Sequence, residues 1–490
     1  MLDIFIKAEQ YDQRLALRDQ DRSYTYKDLV KASTNIASAL LSEKLDLKEE
    51  RIGFLISPSF NYVSILWGIW KAGGIGVPLS LSATESELTH YLEDAKISLL
   101  ISDNEGCKKL KKLSDDLNIP LEDEKNLQGD EDKALPEIKK ERKAMILFTS
   151  GTTSKPKGVV STHSNIEAQI SSLVDAWEWH KDDFIPLILP LHHIHGIINA
   201  LSCPLWIGAS VDILGAFEAE KVVEAVGKNN YSVFTAVPTI YFSLIDKIEH
   251  MAGKELELIQ RKFKEMRLMM SGSAALAPEI HKKWKELTGQ DLLERYGMTE
   301  IGMALSNPLK GEKRPGSVGQ ALPEVEICLM EDNKVITEEN TPGEIMIKGP
   351  QVFLEYWNQE KTTEDSFFEG WFKTGDVAEL IDGYYKILGR ASVDIIKSGG
   401  YKISALEIED VLLKHPLVKE CAVIGVADKK WGEVVAAAVT ASDELTLEDI
   451  QAWSLDFLSD YKIPRSLKLL EELPKNAMGK VVKPEIKKLF

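Results

Sequence analysis

Phe148-Thr-Ser-Gly-Thr-Thr-Ser-Lys-Pro-Lys-Gly158 follows directly on the apolar run Ala144 to Leu147. A Gly/Ser/Thr/Lys-rich loop thus leaves the end of a buried strand, the place where open α/β folds hold phosphate. Glycine lets the backbone N–H groups turn toward an anion, the hydroxyls of Thr149, Ser150, Thr152 and Thr153 add donors, and Lys155 and Lys157 supply charge. The expected ligand is a polyphosphate. The spacing is not that of the nucleotide-kinase loop Gly-x-x-x-x-Gly-Lys-Ser/Thr, because Pro156 interrupts it and no Ser or Thr follows a Gly-Lys pair. A kinase or GTPase reading drops on that ground. The loop alone leaves a flexible surface linker open as the bland alternative.

A chain of 490 residues exceeds what one core usually organises, so two or more domains are expected, and a hydrophobic fraction of 44% can fill them. The most apolar long stretch, Ile185 to Ala209, is interrupted by Pro186, Pro190, Pro204 and three histidines and does not meet the requirement for a membrane span. Asp3, Lys7 and Glu9 sit inside the first apolar turn, which therefore lacks a secretory core; a cytoplasmic location without integral membrane association is expected. Cys107, Cys203, Cys328 and Cys421 lie far apart with no Cys-x-x-Cys pair, which disfavours structural zinc and a disulfide framework. A formal charge of −18 disfavours nucleic acid and anionic membranes as partners, so any anionic substrate must be met by local cations.

Apolar β-rich runs alternate with amphipathic helical patterns: Arg51 to Ile56, Ile97 to Ile101, Ala144 to Phe148, Phe184 to Leu189, Tyr231 to Val237 and Arg267 to Met270. This alternation predicts parallel sheets flanked by helices, an α/β fold. From Gly316 to Leu388 short alternating strands with Gly/Pro/Asp turns predict a small antiparallel or β-barrel-like subdomain. After Gly389-Arg390 a new pattern begins, with a helix near Ala405 to Lys414, strands near Glu420 to Val426 and Val434 to Thr440, and a helix near Leu447 to Ser459. The expectation is a large N-terminal domain over 1–390 and a smaller α+β domain over 391–490. The charged run Leu121 to Lys143 reads as a surface loop.

Four more motifs stand in order along the chain: Glu294-Arg-Tyr-Gly-Met-Thr-Glu300, Thr374-Gly-Asp376, Gly389-Arg390 followed by Asp394-Ile-Ile-Lys-Ser-Gly-Gly-Tyr401, and Pro474-Lys-Asn-Ala-Met-Gly-Lys480. With the loop they resemble the adenylate-forming acyl-CoA synthetases over essentially the whole chain. The resemblance implies ATP, Mg²⁺ and CoA as co-substrates of a small-molecule carboxylic acid, which attacks the α-phosphate to give an acyl-adenylate before thioester formation. It implies that Thr149, Ser150, Gly151, Thr152, Thr153, Lys155 and Lys157 cradle the phosphates, and that Glu300 and Thr299 serve catalysis, with Glu300 and Thr152 placing the metal. Gly272, Ser273 and Ala274 with Tyr296 and Gly297 would form the adenine pocket, and Asp376 and Arg390 would bind the ribose or a phosphate.

Lys480 matches the lysine that stabilises the adenylation transition state. Ser398, Gly399, Gly400 and Tyr401 match the passage for the pantetheine arm of CoA. Members of the family rotate the mobile C-terminal domain between the two half-reactions about a hinge two residues after the junction arginine; here that position is Ser392, where many relatives have Asp or Lys. Leu189-Pro-Leu-His-His-Ile-His-Gly196 matches the acyl-pocket segment, with His193 near the carboxyl end and His192 and His195 open to a merely packed role. The strings around Glu294 to Pro308 and Ser392 to Glu407 look most like the malonyl-CoA synthetase branch, in which Arg267 would take the distal carboxylate. A medium- or long-chain fatty acyl-CoA synthetase, and a carrier-protein loader or nonenzymatic adenylate-binding protein, stay open, as does a monomer against a homodimer.

Overall fold

The computed structural model describes residues 2–20, 22–130, 132–149, 156–399, 401–475 and 481–490. The contacts divide the chain into two compact units, Met1–Glu326 with Lys348–Gly370, and Ile327–Ile347 with Trp371–Phe490.

In the first unit the β-rich runs become mixed sheets. The expected strands appear as Arg51–Leu55, Leu99–Ser102, Lys143–Thr149, Phe184–Leu187, Val233–Ala236 and Leu268–Ser271. A seven-stranded sheet runs in the order Glu355–Tyr356, Lys157–Thr162, Lys143–Thr149, Ile75–Pro78, Arg51–Leu55, Leu99–Ser102, Leu121–Asp123. Its members are parallel from Lys143–Thr149 onward and antiparallel at Lys157–Thr162, so the Gly/Ser/Thr-rich loop closes a hairpin rather than entering a helix. The run expected as a loop begins with the short strand Leu121–Asp123 and ends in Lys143–Thr149. Helix Phe60–Lys71, capped by the Ser59 hydroxyl on the Tyr62 N–H, is buried along most of its length. Trp70 donates its indole N–H to the Ala144 carbonyl at 2.8 Å, fixing the helix to the strand that delivers the loop. After the hairpin a Thr162/Asn165 capping box starts helix His163–Ala176 directly at the end of strand Lys157–Thr162.

A second sheet joins Val233–Ala236, Leu268–Ser271 and Leu293–Met298 in parallel and continues antiparallel through Gly302–Ser306 and Gln320–Ala321. A third brings Leu15–Asp19 and Phe184–Leu187 onto either side of Ser210–Ile213. The Leu189–Gly196 segment leads into an uncommon π-helix, His195–Ser202.

The second unit holds the antiparallel strands expected after Gly316, among them Gly343–Lys348, Trp371–Ile381 and Tyr384–Arg390. Residues 348–370 are not part of that pattern, since Glu355–Tyr356 pairs with Lys157–Thr162 in the first unit. The expected C-terminal elements appear as helix Ala405–Leu412, the long hairpin Val418–Asp428 with Gly432–Ala441, and helix Leu447–Leu455. Apolar side chains from these elements, including Ile408, Val423, Val435 and Ile450, form one buried cluster.

Candidate active site

Thr149 and Lys157 face each other across the hairpin, so its register draws the two ends of the phosphate loop together. The expectations for Ser150, Gly151, Thr152, Thr153 and Lys155 lie outside the described residues. Lys157 stands with its ammonium 4.9 Å from the Tyr356 ring centroid. The hydroxyl of the same tyrosine donates to Glu300 Oε1 at 2.9 Å, and both residues are buried. Glu300 is held a second time through its backbone carbonyl, which accepts the Phe353 N–H at 2.8 Å. Segment 353–356 therefore fixes the carboxylate and the loop lysine together. A carboxylate so oriented is a hard oxygen donor of the kind Mg²⁺ takes, with the donor side chain locked by its own hydrogen bond. Thr299 lies beside it in the turn after Leu293–Met298, where it lines a small cavity with Ser161, Gln169 and Gln351.

Gly272 to Ala274 follow strand Leu268–Ser271, and the parallel neighbour strand carries Tyr296 and Gly297. A Cβ on Gly297 would meet the Gly302 carbonyl oxygen at 2.1 Å, so only glycine lets these strands close. Ser273 has φ +69° and approaches His195 Nδ1 with its hydroxyl at 3.2 Å, while His195 Nε2 meets Thr235 Oγ1 at 2.8 Å. His195 is thus fully engaged, and burial first, then the charges of Arg295 and His193, keep it neutral. Burial likewise pulls His192 down to about 3. His193 is exposed on the turn that precedes the π-helix.

Arg267, expected at the distal carboxylate, is engaged with partners inside the protein. Its Nε and Nη2 grip both carboxylate oxygens of Asp183 at 2.8 and 2.5 Å, and Nη1 donates to the Trp177 carbonyl at 2.9 Å. Burial alone would raise the Asp183 carboxyl, but Arg267, the His180 N–H and Ser232 hold it below its ordinary value. The edge of the guanidinium formed by Nε and Nη2 is thus occupied by Asp183, the bidentate pairing that a substrate carboxylate would otherwise take.

Arg295, inside the Glu294 to Glu300 motif, is the residue that sequence reasoning passed over. It is 3% exposed, and none of its three side-chain nitrogens has a hydrogen-bond partner among the described residues. Burial pulls its pKa down to about 9, which still leaves it charged at neutral pH. A Cβ on Gly272 would strike its Nη1 at 2.5 Å, so this glycine makes room for the guanidinium. The available signal was a cation two residues after Leu293, in a strand whose first three residues are buried.

In the second unit Asp376 and Arg390 sit opposite each other across paired strands, with Nε to Oδ1 at 2.9 Å. Arg390 Nη1 also donates to the Thr374 carbonyl at 2.9 Å, and the Thr374 hydroxyl accepts the Asp376 N–H at 3.1 Å. The two expected ribose contacts therefore form one preorganised carboxylate–guanidinium unit. Ser398 pairs with Tyr401 across a tight turn, and Gly399, at φ +56°, would press a Cβ onto the Trp431 ring at 2.9 Å. Tyr401 is exposed and stacks on Tyr461 with centroids 4.4 Å apart. Gly400 and Lys480 lie outside the described residues.

Residues 4–357 match the AMP-binding enzyme family and residues 407–480 match the AMP-binding enzyme C-terminal domain. The chain is 42% identical to the mitochondrial malonate–CoA ligase ACSF3 of Bos taurus, covering 99% of this chain and 89% of that protein. It is 40% identical to malonate–CoA ligase of Arabidopsis thaliana, over 99% and 87% of the two chains. Among solved structures, ATP-bound MatB from Rhodopseudomonas palustris superposes with a TM-score of 0.89 at 29% identity, covering 100% of this chain and 99% of that one. Five motifs in order and matches to both the AMP-binding enzyme family and its C-terminal domain lead to one assignment: the chain belongs to the AMP-binding enzyme family, the adenylate-forming CoA ligases.

Proposed function

We propose that the protein is a malonate–CoA ligase: malonate and ATP give malonyl-AMP and pyrophosphate, and CoA then displaces AMP to give malonyl-CoA. The observation that carries the choice of acid is Arg295. A charged guanidinium buried without a partner costs several kcal/mol, and an anionic ligand is what offsets it. A fatty acid would bring methylenes to that point; malonate brings a second carboxylate that can take two parallel N–H bonds. The ligase names of the relatives agree with this reading.

In the first half-reaction Lys157 and the loop hydroxyls neutralise the phosphates, and the side chains of Glu300 and Thr152 would hold Mg²⁺, which supplies charge stabilisation to the departing pyrophosphate. Glu300 is kept in place by Tyr356. Lys480 would add a cation to the pentavalent phosphorus. In the second, residues 391–490 turn about Ser392 so that Gly399 and Gly400 admit the pantetheine thiol. Asp376 and Arg390 hold the ribose through both steps.

No described helix is long and apolar enough to cross a membrane. We assign the protein to the cytoplasm; co-fractionation with an organelle matrix marker would overturn that.

The test is kcat/KM for malonate, methylmalonate, butyrate and octanoate. Wild-type protein should prefer malonate, and Arg295→Met should lower the malonate-to-butyrate ratio by roughly ten- to a hundredfold, the worth of a charged hydrogen-bonded contact. A wild-type preference for octanoate, or an unchanged ratio in the variant, would sink the dicarboxylate reading. Arg267→Lys should leave that ratio intact, because Arg267 is committed to Asp183.

A further inference from the structure

Arg295 is not alone among buried polar groups left open. Asn199 is 0% exposed, and neither its Oδ1 nor its Nδ2 has a partner among the described residues. An amide stranded in this way is costly to bury, so something outside the described protein atoms satisfies it.

Its position ties it to the acyl site. Asn199 lies four residues beyond His195 on the π-helix His195–Ser202. A helix with i→i+5 bonds keeps residues four apart close to one face, so the two side chains project from the same side, one above the other. His195 marks what that side confronts, since it bonds Thr235 and the Ser273 hydroxyl and lies within the field of the Arg295 charge. Short π-helical insertions are rare and recur at functional sites because the extra residue re-aims side chains that an α-helix would turn away.

We propose that Asn199 is a specificity-determining residue, its Nδ2 donating a hydrogen bond to the distal carboxylate of a short dicarboxylate while Arg295 supplies the charge. The division of labour follows from donor inventories. A carboxylate accepts about four hydrogen bonds, a guanidinium edge provides two of them, and a neutral amide provides another without adding a second buried cation. This inference rests on the malonate reading above and deepens it.

The test compares wild type with Asn199→Leu, which keeps the volume and removes both polar atoms, and Asn199→Asp, which replaces the donor by a second acceptor. Steady-state kinetics are read for malonate, for its half-amide malonamate and for butyrate. In Asn199→Leu the KM for malonate should rise about tenfold, with the KM for ATP and the butyrate kinetics unchanged. In Asn199→Asp malonate should suffer more than in Asn199→Leu, and the malonamate-to-malonate ratio should rise, because the new carboxylate repels one substrate and accepts from the other. A uniform loss across all three acids, accompanied by a lowered Tm, would make Asn199 a packing residue and overturn the proposal. If Asn199→Leu does not fold, Asn199→Ser carries the same comparison. An unchanged malonate KM in folded variants, in an enzyme that still prefers malonate through Arg295, refutes this inference and leaves the malonate reading standing; a wild type that does not use malonate refutes both.

Discussion

Tyr356 shows how much can hang on a single hydroxyl. Its ring receives Lys157 and its oxygen holds Glu300. Tyr356→Phe keeps the ring and removes only the donor to the carboxylate. The expected outcome is a Mg²⁺ requirement for pyrophosphate exchange raised about tenfold, the usual effect of losing the group that orients a metal ligand, with little change in Tm. Lys71 makes a prediction about stability. It is buried, and its ammonium donates to Val30 O, Ser33 Oγ and Thr34 Oγ1, yet burial lowers its pKa from 10.5 to about 8. Between those two values the unfolded chain binds more protons than the folded one, so this group makes stability rise with pH across that window, having cost roughly 3 kcal/mol at neutral pH. Urea unfolding of wild type and Lys71→Met on either side of the window should show the rise only in wild type. Single residues were also where sequence reading was weakest. Both Arg267 and Arg295 are arginines within or beside a strand; only their partners separate them, and Asp183 stands far from Arg267 along the chain.

At the scale of elements the sequence was more legible, because a strand or helix announces itself by local period. Phe184–Leu187 and Val233–Ala236 fall inside their expected runs, trimmed at the ends where pairing stops. The departures are pairings at long range. Nothing in the two residues Glu355–Tyr356 signals a strand, since it exists only by adding to Lys157–Thr162. The C-terminal unit contains a pairing of another kind: Lys483 Nζ meets Asp394 Oδ1 at 2.5 Å and Glu409 Oε1 at 2.8 Å, all three largely buried. Asp394 accepts the Arg390 N–H with its other oxygen at 3.0 Å, so the cluster ties the turn around Ser392 to helix Lys483–Lys487. Burial raises the Glu409 carboxyl against the opposing pull of Lys483. Lys483→Met should strand two carboxylates and destabilise by about 3–5 kcal/mol, with Lys483→Arg recovering much of it; urea midpoints of the three proteins decide.

For the whole molecule, the proposed assignment of Lys480 to adenylation and of Gly399 and Gly400 to thioester formation predicts a double dissociation. Lys480→Ala should cost adenylation roughly 3–4 kcal/mol, a few hundred-fold in rate, and spare thioester formation from supplied malonyl-AMP. Gly399→Val should do the reverse, because its side chain meets Trp431 while the ATP loop is untouched, and the positive φ adds strain. Pyrophosphate exchange and CoA-dependent AMP release, assayed separately, distinguish the two; a variant that loses both equally would refute its assignment.

Chain order gives the discontinuous first unit a further consequence. A ribosome delivers Lys157–Thr162 long before Glu355–Tyr356, the strand that covers its edge and the tyrosine that steadies Glu300. Throughout that interval the nascent protein exposes an unpaired β-edge at Lys157–Thr162, the state in which strands add to the wrong neighbour. Completion of this sheet and of the Tyr356–Glu300 contact is therefore a late event of synthesis. Stalled nascent chains should gain protease resistance around Lys157–Thr162 only once Gly370 has left the exit tunnel, and protection in chains stopped at Glu326 would show that the edge is sheltered by other means.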